Sequence, residues 1–377
     1  MDIDLSGIML GTDDLKLNEN FPVKLGYKLP LATTTTLDSL FSQGINPEKP
    51  EDSEDLSEVF FPGLGKIDLR TLPFEVKTKS GSKKAQQLVA KSRPEEIKKI
   101  VIAMAPHIGD LMIDVYGNYM CQSLFQSANA SQRLYLLKSM RNSLLKIAKD
   151  VRGTHSLQTV IGMASLEEEE TIYKQEFSGK VVQLSTHVYA SHVIQRLLIT
   201  LKDRKFMINE LQGNCTFLAK DKLGLCVIKK CVDDKSIFQE LCRDALVLVQ
   251  DPYGNYVVQK VLDVWSDSAC RPLFNQFKNN LGQLCVQKFS SNVMERCMRV
   301  DFLRENLISE VLSEEKLLVL MNCTYGCYVL RTAAELGSLE LKKKLKIILE
   351  NLKPLLHKKK LKQKWSEIYN ILEPFLE

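Results

Sequence analysis

The sequence lacks the features that would mark a membrane protein, a secreted protein or an enzyme. It has no uninterrupted apolar run of about 18 residues, which a membrane-spanning helix needs. Residues 1–4 are acidic and do not begin a secretory leader. The chain has only five histidines, and no nucleophile elbow, P-loop or metal-ligand cluster is evident. We therefore expect a non-enzymatic cytoplasmic protein, with no metal, cofactor or membrane partner.

The ten cysteines do not form a disulfide framework or a zinc pattern. They are scattered through apolar stretches that have helical periodicity. Such cysteines are typical of buried thiols in a reducing compartment. Cys323 and Cys327 lie four residues apart, but no second pair with zinc-site spacing accompanies them. We therefore expect free thiols.

The sequence contains a short motif, here called the phrase, that recurs about every 36 residues. It reads VYGNYMCQ at residues 115–122, VRGTHSLQ at 151–158, VYASHVIQ at 188–195 and PYGNYVVQ at 252–259. A fixed period of this size indicates a solenoid of stacked repeats. Its anchors, spaced by 36, 36, 37, 34, 30, 36 and 36 residues, are Ser82, Asn118, Thr154, Ser191, Leu225, Asn255, Ser291 and Cys327.

Each phrase predicts the first turns of an amphipathic helix. At about 100° per residue, Asn118, Tyr119 and Gln122 share one face. Met120 and Leu124 lie on the opposite face, which we expect to be buried. A glycine precedes six of the anchors and suits a close approach, and an aspartate four residues before four of them suits a helix N-terminus. Each repeat has room for two or three helices.

Charge divides the chain into unlike parts. Residues 1–60 carry 12 acidic and 4 basic side chains, whereas the rest carries 34 acidic and 47 basic ones. We interpret residues 1–60 as an acidic, mostly irregular arm, 61–338 as the repeat domain and 339–377 as capping helices. The apolar segment 56–62 is expected to dock on the solenoid end or on a partner. The basic run 357–364 is interpreted as a solvated helix face, with a localisation signal or an RNA-backbone patch as alternatives.

The phrases resemble Pumilio (PUF) repeats over roughly residues 65–350. The most specific copy is KFSSNVME at residues 288–295, which looks like the family's seventh, guanine-reading repeat and is seventh here too. The resemblance implies an all-α, right-handed superhelical solenoid of eight three-helix repeats that binds single-stranded RNA antiparallel. It also implies target sites in mRNA 3′ untranslated regions, with translational repression or decay through effectors such as a deadenylase complex. We expect the protein to act as a monomer.

The chemistry of the phrase supports base recognition independently of the family. A repeat protein can read one unpaired base with two or three side chains of each repeat. Asn and Gln each offer a donor and an acceptor, which match the edge of uracil, whereas an ionised Glu accepts only and matches the two adjacent donors of guanine. Flat side chains next to the anchors can stack between bases.

These arguments predict an RNA-binding surface of three side chains per repeat. Asn118 with Gln122 and Asn255 with Gln259 are assigned to uracil, and Ser291 with Glu295 to guanine. Pairs that resemble the family's adenine readers are Ser82 with Gln86 and Ser191 with Gln195. The remaining predicted RNA-binding residues are Lys83, Tyr119, Thr154, His155, Gln158, His192, Cys226, Lys229, Tyr256, Asn292, Cys327, Tyr328 and Arg331.

Three repeats depart from the family pattern. Leu225 cannot hydrogen-bond a base, and Lys229 has donors only, so the fifth repeat is expected to tolerate any base or to contact phosphate. Thr154 predicts weak uracil or relaxed recognition. Cys327 with Arg331 favours cytosine or a loose preference, although the resemblance suggests uracil. Taken from the last repeat to the first, the predicted site is 5′-(C/U)GUNA(U/N)UA-3′.

Two other functions remain open at this point. A HEAT- or armadillo-like scaffold that binds a peptide would also be a helical solenoid. A PUF-like protein could instead bind structured RNA with little sequence preference, and the departures at Lys83 and Leu225 favour that alternative.

Overall fold

The computed structural model describes residues 56–57, 59–61 and 65–375, which are almost entirely helical. The acidic arm predicted for residues 1–60 lies mostly outside the described residues. The strands are β1 (Val59–Phe61) and β2 (Gly65–Ile67). The helices are α1 (Leu72–Glu75), α2 (Lys79–Lys91), α3 (Pro94–Met104), α4 (Ile108–Leu111), α5 (Gly117–Ser127), α6 (Ala130–Ser139), α7 (Leu144–Lys149), α8 (Gly153–Ile161), α9 (Glu167–Phe177), α10 (Val181–Ser185), α11 (Ala190–Thr200), α12 (Lys205–Leu211), α13 (Cys215–Ala219), α14 (Gly224–Ile228), α15 (Lys235–Arg243), α16 (Ala245–Val249), α17 (Gly254–Val264), α18 (Arg271–Phe277), α19 (Leu281–Cys285), α20 (Ser290–Cys297), α21 (Asp301–Val311), α22 (Glu314–Asn322), α23 (Thr324–Leu336), α24 (Leu339–Leu352) and α25 (Lys359–Leu372).

The helices follow a repeating order of one outer helix, one short helix and one inner helix. In the second repeat these are α3, α4 and α5, and the same order continues to α21, α22 and α23 in the eighth. Each inner helix contacts the next one along the chain, so that α2, α5, α8, α11, α14, α17, α20 and α23 form one continuous row. The predicted all-α solenoid is therefore confirmed.

One face of each inner helix is buried in the shared core. Met120, Cys121 and Leu124 of α5 are fully buried, as the helical periodicity predicted. A single repeat cannot cover this apolar face, because the neighbouring inner helices supply the other half of the contact. Burial of apolar area at each of these contacts makes the stack, rather than the repeat, the stable unit.

The aspartates before the anchors cap the inner helices, as the sequence predicted. The backbone N–H groups of Tyr253 and Gly254 both donate to Oδ1 of Asp251 at 2.8 Å. Asp114, Asp150 and Asp221 make the same pair of bonds in their repeats. These bonds satisfy N–H groups that have no partner within the helix.

Glycine allows the inner helix to begin against the preceding short helix. A Cβ atom on Gly153 would lie 2.5 Å from the carbonyl oxygen of Ile147, closer than two such atoms can approach. The seventh repeat has Ser290 at this position instead, and its hydroxyl donates to the equivalent carbonyl of Leu284 at 2.7 Å. The serine side chain thus forms a hydrogen bond at the position where glycine avoids a steric clash.

The two ends of the described solenoid are closed differently. At the first end, β1 and β2 pair antiparallel, and Val59 and Phe61 are buried in the core. The segment predicted to dock therefore packs on the solenoid, and the proposed boundary at residue 60 falls inside β1. At the other end, α25 packs against α22, α23 and α24. Lys358, Lys359 and Lys360 are exposed there, as expected of a solvated face.

Within the described residues, the helices are too short or too polar to span a bilayer. All ten cysteines are free, which agrees with the sequence interpretation, and seven of them are buried.

Asp251→Ala should destabilise the protein by about 1 kcal/mol, because α17 then begins with two N–H groups that have lost their acceptor. Asp267→Ala is the matched control, since Asp267 is exposed and makes no hydrogen bond to another described residue. Thermal and urea unfolding should show a loss for the first variant and a change within about 0.5 kcal/mol for the second. Equal stabilities of the two variants would contradict the capping role.

Candidate nucleic-acid interface

The inner helices arrange the predicted site residues in three parallel rows. We call the first the anchor row, which consists of Ser82, Asn118, Thr154, Ser191, Leu225, Asn255, Ser291 and Cys327. The middle row follows each anchor by one residue and consists of Lys83, Tyr119, His155, His192, Cys226, Tyr256, Asn292 and Tyr328. The edge row follows each anchor by four residues and consists of Gln86, Gln122, Gln158, Gln195, Lys229, Gln259, Glu295 and Arg331.

The anchor row is buried in the first seven repeats and half-buried at Cys327, which corrects the expectation of an exposed three-residue patch. Asn118 is 5% exposed, Asn255 1% and Ser191 0%. The helical wheel gave the direction of these side chains correctly but not their depth. The anchors occupy the first turn of each inner helix, which packs closely against its own short helix and the next repeat.

The two asparagine anchors bond to the backbone that precedes their own helices. The amide nitrogen of Asn118 donates to the carbonyls of Asp114 and Val115 at 2.7 and 3.1 Å. Asn255 does the same with Asp251 and Pro252 at 2.9 and 3.0 Å. Both amide hydrogens are thereby used, so each anchor presents its Oδ1 as an acceptor.

Two of the four hydroxyl anchors bond across the boundary between repeats, whereas Ser291 bonds to the carbonyl of Lys288 within its own repeat at 3.5 Å. Ser82 Oγ donates to the carbonyl of Tyr116 at 2.7 Å, and Thr154 Oγ1 donates to that of Tyr189 at 3.0 Å. Ser191 differs, because its Oγ is buried and has no partner among the described residues. The anchor of the fourth repeat is therefore the least constrained by hydrogen bonds.

Most edge-row amides are oriented by the anchors. Gln259 Nε2 donates to Asn255 Oδ1 at 3.0 Å, and Gln86 Nε2 donates to Ser82 Oγ at 3.1 Å. Gln158 bonds to Thr154 in the same way. The edge row is half-buried in these repeats, so its polar ends border solvent in a fixed orientation.

The edge row carries its one carboxylate at Glu295. Burial raises the pKa of this group, while a hydrogen bond from Thr332 and the positive charge of Arg299 oppose that rise. The Thr332 hydroxyl donates to Glu295 Oε2 at 3.3 Å. A half-buried carboxylate that has no ion-pair partner among the described residues favours a ligand that supplies hydrogen-bond donors.

The middle row is the exposed one, as stacking residues need to be. Tyr119 is 57% exposed, Tyr328 54% and Tyr256 38%. His155 and His192 are also exposed, and partial burial together with the nearby His155 lowers the pKa of His192. The lowered pKa keeps the His192 ring neutral at neutral pH, which suits stacking on an uncharged base.

The fifth repeat is structurally as well as chemically different. Its inner helix, α14, has five residues, whereas α11 and α17 on either side have eleven each. The shortening explains the 30-residue spacing between Leu225 and Asn255. Leu225 is buried, Cys226 is partly buried, and Lys229 ends the helix as its C-cap.

The eighth repeat directs its polar groups toward the protein itself. Cys327 Sγ donates to the carbonyls of Leu320 and Met321, and Arg331 Nε bonds to Glu335 at 3.1 Å. Lys364 of α25 donates to the carbonyl of Met321 at 3.2 Å and lies near the Cys327 thiol. The C-terminal helix therefore reaches the anchor row of this repeat.

Sequence reasoning missed four residues at this surface. His187 replaces the capping aspartate of its repeat, because its Nδ1 accepts from the N–H groups of Tyr189 and Ala190. Ser156 accepts from Gln122 at 3.1 Å. Ser156 could have been found because its column is otherwise apolar from the second repeat to the eighth. Thr332 had no such signal, and Lys364 belongs to the basic run 357–364, which was interpreted as a solvated helix face.

The described residues hold no cluster of three or more His, Cys, Asp and Glu side chains arranged to bind a metal.

Five stretches of the chain match the model of the Pumilio-family RNA binding repeat, namely residues 107–140, 180–212, 214–234, 245–276 and 280–312. The chain is 30% identical over 290 residues to a Pumilio domain-containing protein of Schizosaccharomyces pombe, covering 74% of this chain and 42% of that protein. It is 32% identical over 270 residues to Pumilio homolog 12 of Arabidopsis thaliana, covering 68% and 45%. The chain thus spans less than half the length of these two relatives.

Solved structures of the same fold are also similar. The Puf4 RNA binding domain, bound to the HO endonuclease RNA 3′ UTR recognition sequence, matches with a TM-score of 0.73 and 26% identity over 78% of this chain and 97% of that one. PUF-8 in complex with PBE-RNA matches with a TM-score of 0.73 over 91% of this chain and all of that one, and at 19% identity it speaks for the fold alone. From the matched repeats, the curated relatives and the shared solenoid, we conclude that this chain belongs to the Pumilio family.

Proposed function

We propose that this protein binds single-stranded RNA in a sequence-specific manner, with one base at each repeat along the three rows. The observation that carries the proposal is the edge row itself. It places a series of fixed amides and a single carboxylate, Glu295, at regular intervals beside exposed aromatic side chains. Such a row matches a series of unpaired bases better than it matches a peptide, because six of the eight positions offer a flat stacking surface beside a polar edge.

Uracil suits the repeats with asparagine anchors. Asn255 Oδ1 is available as an acceptor because the amide hydrogens are bonded to the backbone. It can accept from N3–H of uracil, and Gln259 can donate to a uracil carbonyl. Cytosine has an unprotonated N3, so it would place two acceptors against each other. The same argument applies to Asn118, and Gln122 can donate to the base once its bond to Ser156 opens. Both repeats are therefore expected to discriminate between the two pyrimidines.

Guanine suits the seventh repeat for a complementary reason. The N1–H and N2–H₂ groups of guanine are adjacent donors, and an ionised carboxylate can accept from both. Adenine and uracil each present an acceptor there and would leave Glu295 with unfavourable contacts. The small Ser291 beside it leaves room for the larger purine.

The remaining repeats complete the proposed site 5′-(C/U)GUNA(U/N)UA-3′. The fourth base is open because Leu225 is apolar and α14 is short. The first is proposed as cytosine or uracil, although the bond between Arg331 and Glu335 has to open before Arg331 can contact the base. Family membership further supports binding in mRNA 3′ untranslated regions, with repression of translation or decay through recruited effectors in the cytoplasm.

Selection from a random RNA pool should enrich GU followed, after one variable position, by A. The conserved GU reflects Glu295 and Asn255, and the variable base reflects the short inner helix of the fifth repeat. Purified protein, a pool with a 12-nucleotide random segment and sequencing of the bound fraction are sufficient. Binding without an enriched motif would instead support a PUF-like protein with little sequence preference, and absence of RNA binding would favour a peptide scaffold.

The double variant Ser291→Asn, Glu295→Gln should exchange guanine for uracil at the second base. The variant gives the seventh repeat the same anchor and edge side chains as the sixth. Fluorescence anisotropy with RNAs that differ only at this base should show the preference reversed by about tenfold or more, consistent with about 1–3 kcal/mol for a well-placed edge contact. A retained preference for guanine would show that the antiparallel register is wrong.

The preference for guanine should weaken in mildly acidic solution. Burial raises the pKa of Glu295, and the proton must leave before the carboxylate can accept from guanine. The ratio of uracil-RNA to guanine-RNA dissociation constants should therefore be constant above this pKa. Below it, the ratio should fall by up to about tenfold per pH unit, as linkage to one proton requires. Taking the ratio cancels histidine titration common to both RNAs, and Glu295→Gln should remove the pH dependence of the ratio.

A further inference from the structure

Glu295 receives its hydrogen bond from the next repeat rather than from its own. Thr332 of α23 is buried, 6% exposed, and its hydroxyl donates to Glu295 Oε2 at 3.3 Å. Among the described residues, no lysine or arginine lies within ion-pair distance of the carboxylate. The Thr332 hydroxyl is therefore the direct neutral donor that holds the base-facing carboxylate in place.

The charges around the carboxylate do not perform this task. Arg299, just beyond the C-terminus of the same helix, favours the ionised form from a distance, whereas Glu335 on α23 disfavours it. Glu335 is itself paired with Arg331 at 3.1 Å. Cys285 of α19 also faces this region, and the nearby Glu295 helps to raise the pKa of its thiol. Because these charges oppose one another, the Thr332 hydroxyl is the short-range donor that orients Glu295 and favours its ionised form.

The direction of the Thr332 hydroxyl is unusual for its place in the repeat. Thr332 follows its anchor by five residues, and hydroxyl residues occupy the same position in two other repeats. There, Ser123 Oγ donates to the carbonyl of Tyr119 at 3.2 Å, and Thr159 Oγ1 donates to that of His155 at 3.1 Å. Both bonds stay within the helix. In the eighth repeat the bond crosses to the seventh, where the carboxylate is.

We propose that Thr332 is a positioning residue for guanine recognition, acting on the base through Glu295 of the preceding repeat. This inference rests on the proposed function. The hydroxyl occupies one acceptor site of Oε2 and leaves Oε1 and the remaining site of Oε2 for the two donors of guanine. It also stabilises the ionised carboxylate against the cost of burial. Guanine specificity at the second base is thus shared by two repeats.

Thr332→Val tests the proposal because it removes the hydroxyl and keeps the shape. The variant should reduce the preference for guanine over uracil at the second base by about five- to tenfold, as expected for the net contribution of one typical intramolecular hydrogen bond. The pH at which this preference begins to fall should also rise, since Glu295 loses a bond that favours its ionised form. A purely structural role would lower affinity for both RNAs equally and would not move this pH.

Two companion variants complete the design. Thr332→Ser keeps the hydroxyl and should restore both the preference and its pH dependence. Thr159→Val removes the equivalent hydroxyl of the third repeat, which bonds within its own helix, and should leave recognition of the second base unchanged. Circular dichroism and thermal unfolding of each protein identify any variant that has lost its fold.

The outcomes separate this inference from the proposed function. If the unaltered protein shows no guanine preference, or if Glu295→Gln keeps it, the proposed function fails and the role of Thr332 fails with it. If Glu295→Gln loses the preference while Thr332→Val binds with unchanged selectivity and pH dependence, only the role of Thr332 is overturned. Failure of Thr332→Ser to restore selectivity would likewise overturn it, because the hydroxyl would not be the active group.

Discussion

The first turn of each inner helix is the constraint on which the rest of the structure depends. In six of the eight inner helices its N–H groups are capped by a side chain four residues before the anchor, and in six a glycine lets the turn lie directly against the short helix. The backbone just before the turn offers carbonyls, and the side chains of Asn118 and Asn255 donate to them. Capping, packing and the orientation of the anchor therefore have one structural origin.

The bonds from the asparagine anchors to the backbone determine which groups these anchors can offer to a ligand. An asparagine whose amide hydrogens are bonded to the backbone is no longer both donor and acceptor, because only its oxygen remains for a ligand. The protein thereby fixes the hydrogen-bonding polarity of the anchor before any base arrives. Such preorganisation reduces the cost of ordering the side chain on binding. Under the proposed function, it would also give discrimination against cytosine that an unconstrained amide, free to rotate, would not provide.

The sequence predicted the repeat, the buried columns and the aspartate caps, because these follow from periodicity and from local chemistry. It did not predict that the anchors would be buried, since a helical wheel gives direction but not the distance to the next repeat. His187 was missed as a cap because histidine rarely has that role and the phrase suggested aspartate. The spacing of 30 residues showed that the fifth repeat was short, but only the structure locates the loss in α14.

The bonds from Gln122 to Ser156 and from Thr332 to Glu295 join residues 34 and 37 positions apart. No local pattern could have paired them.

These cross-repeat bonds make side chains of the edge row depend on the neighbouring repeat. If each repeat were an independent module, its two base-facing side chains would determine its preference. Glu295 is instead a half-buried carboxylate. Its ionisation depends on this partial burial, on the hydrogen bond from Thr332 and on charges carried by both repeats. Under the proposed function, specificity for guanine would arise as much from the penalty for leaving this group without donors as from the bonds that guanine forms. The repeats whose edge residue is glutamine carry no charge that requires donors. Their base preferences should therefore change less than that of the seventh repeat when a neighbouring repeat is altered.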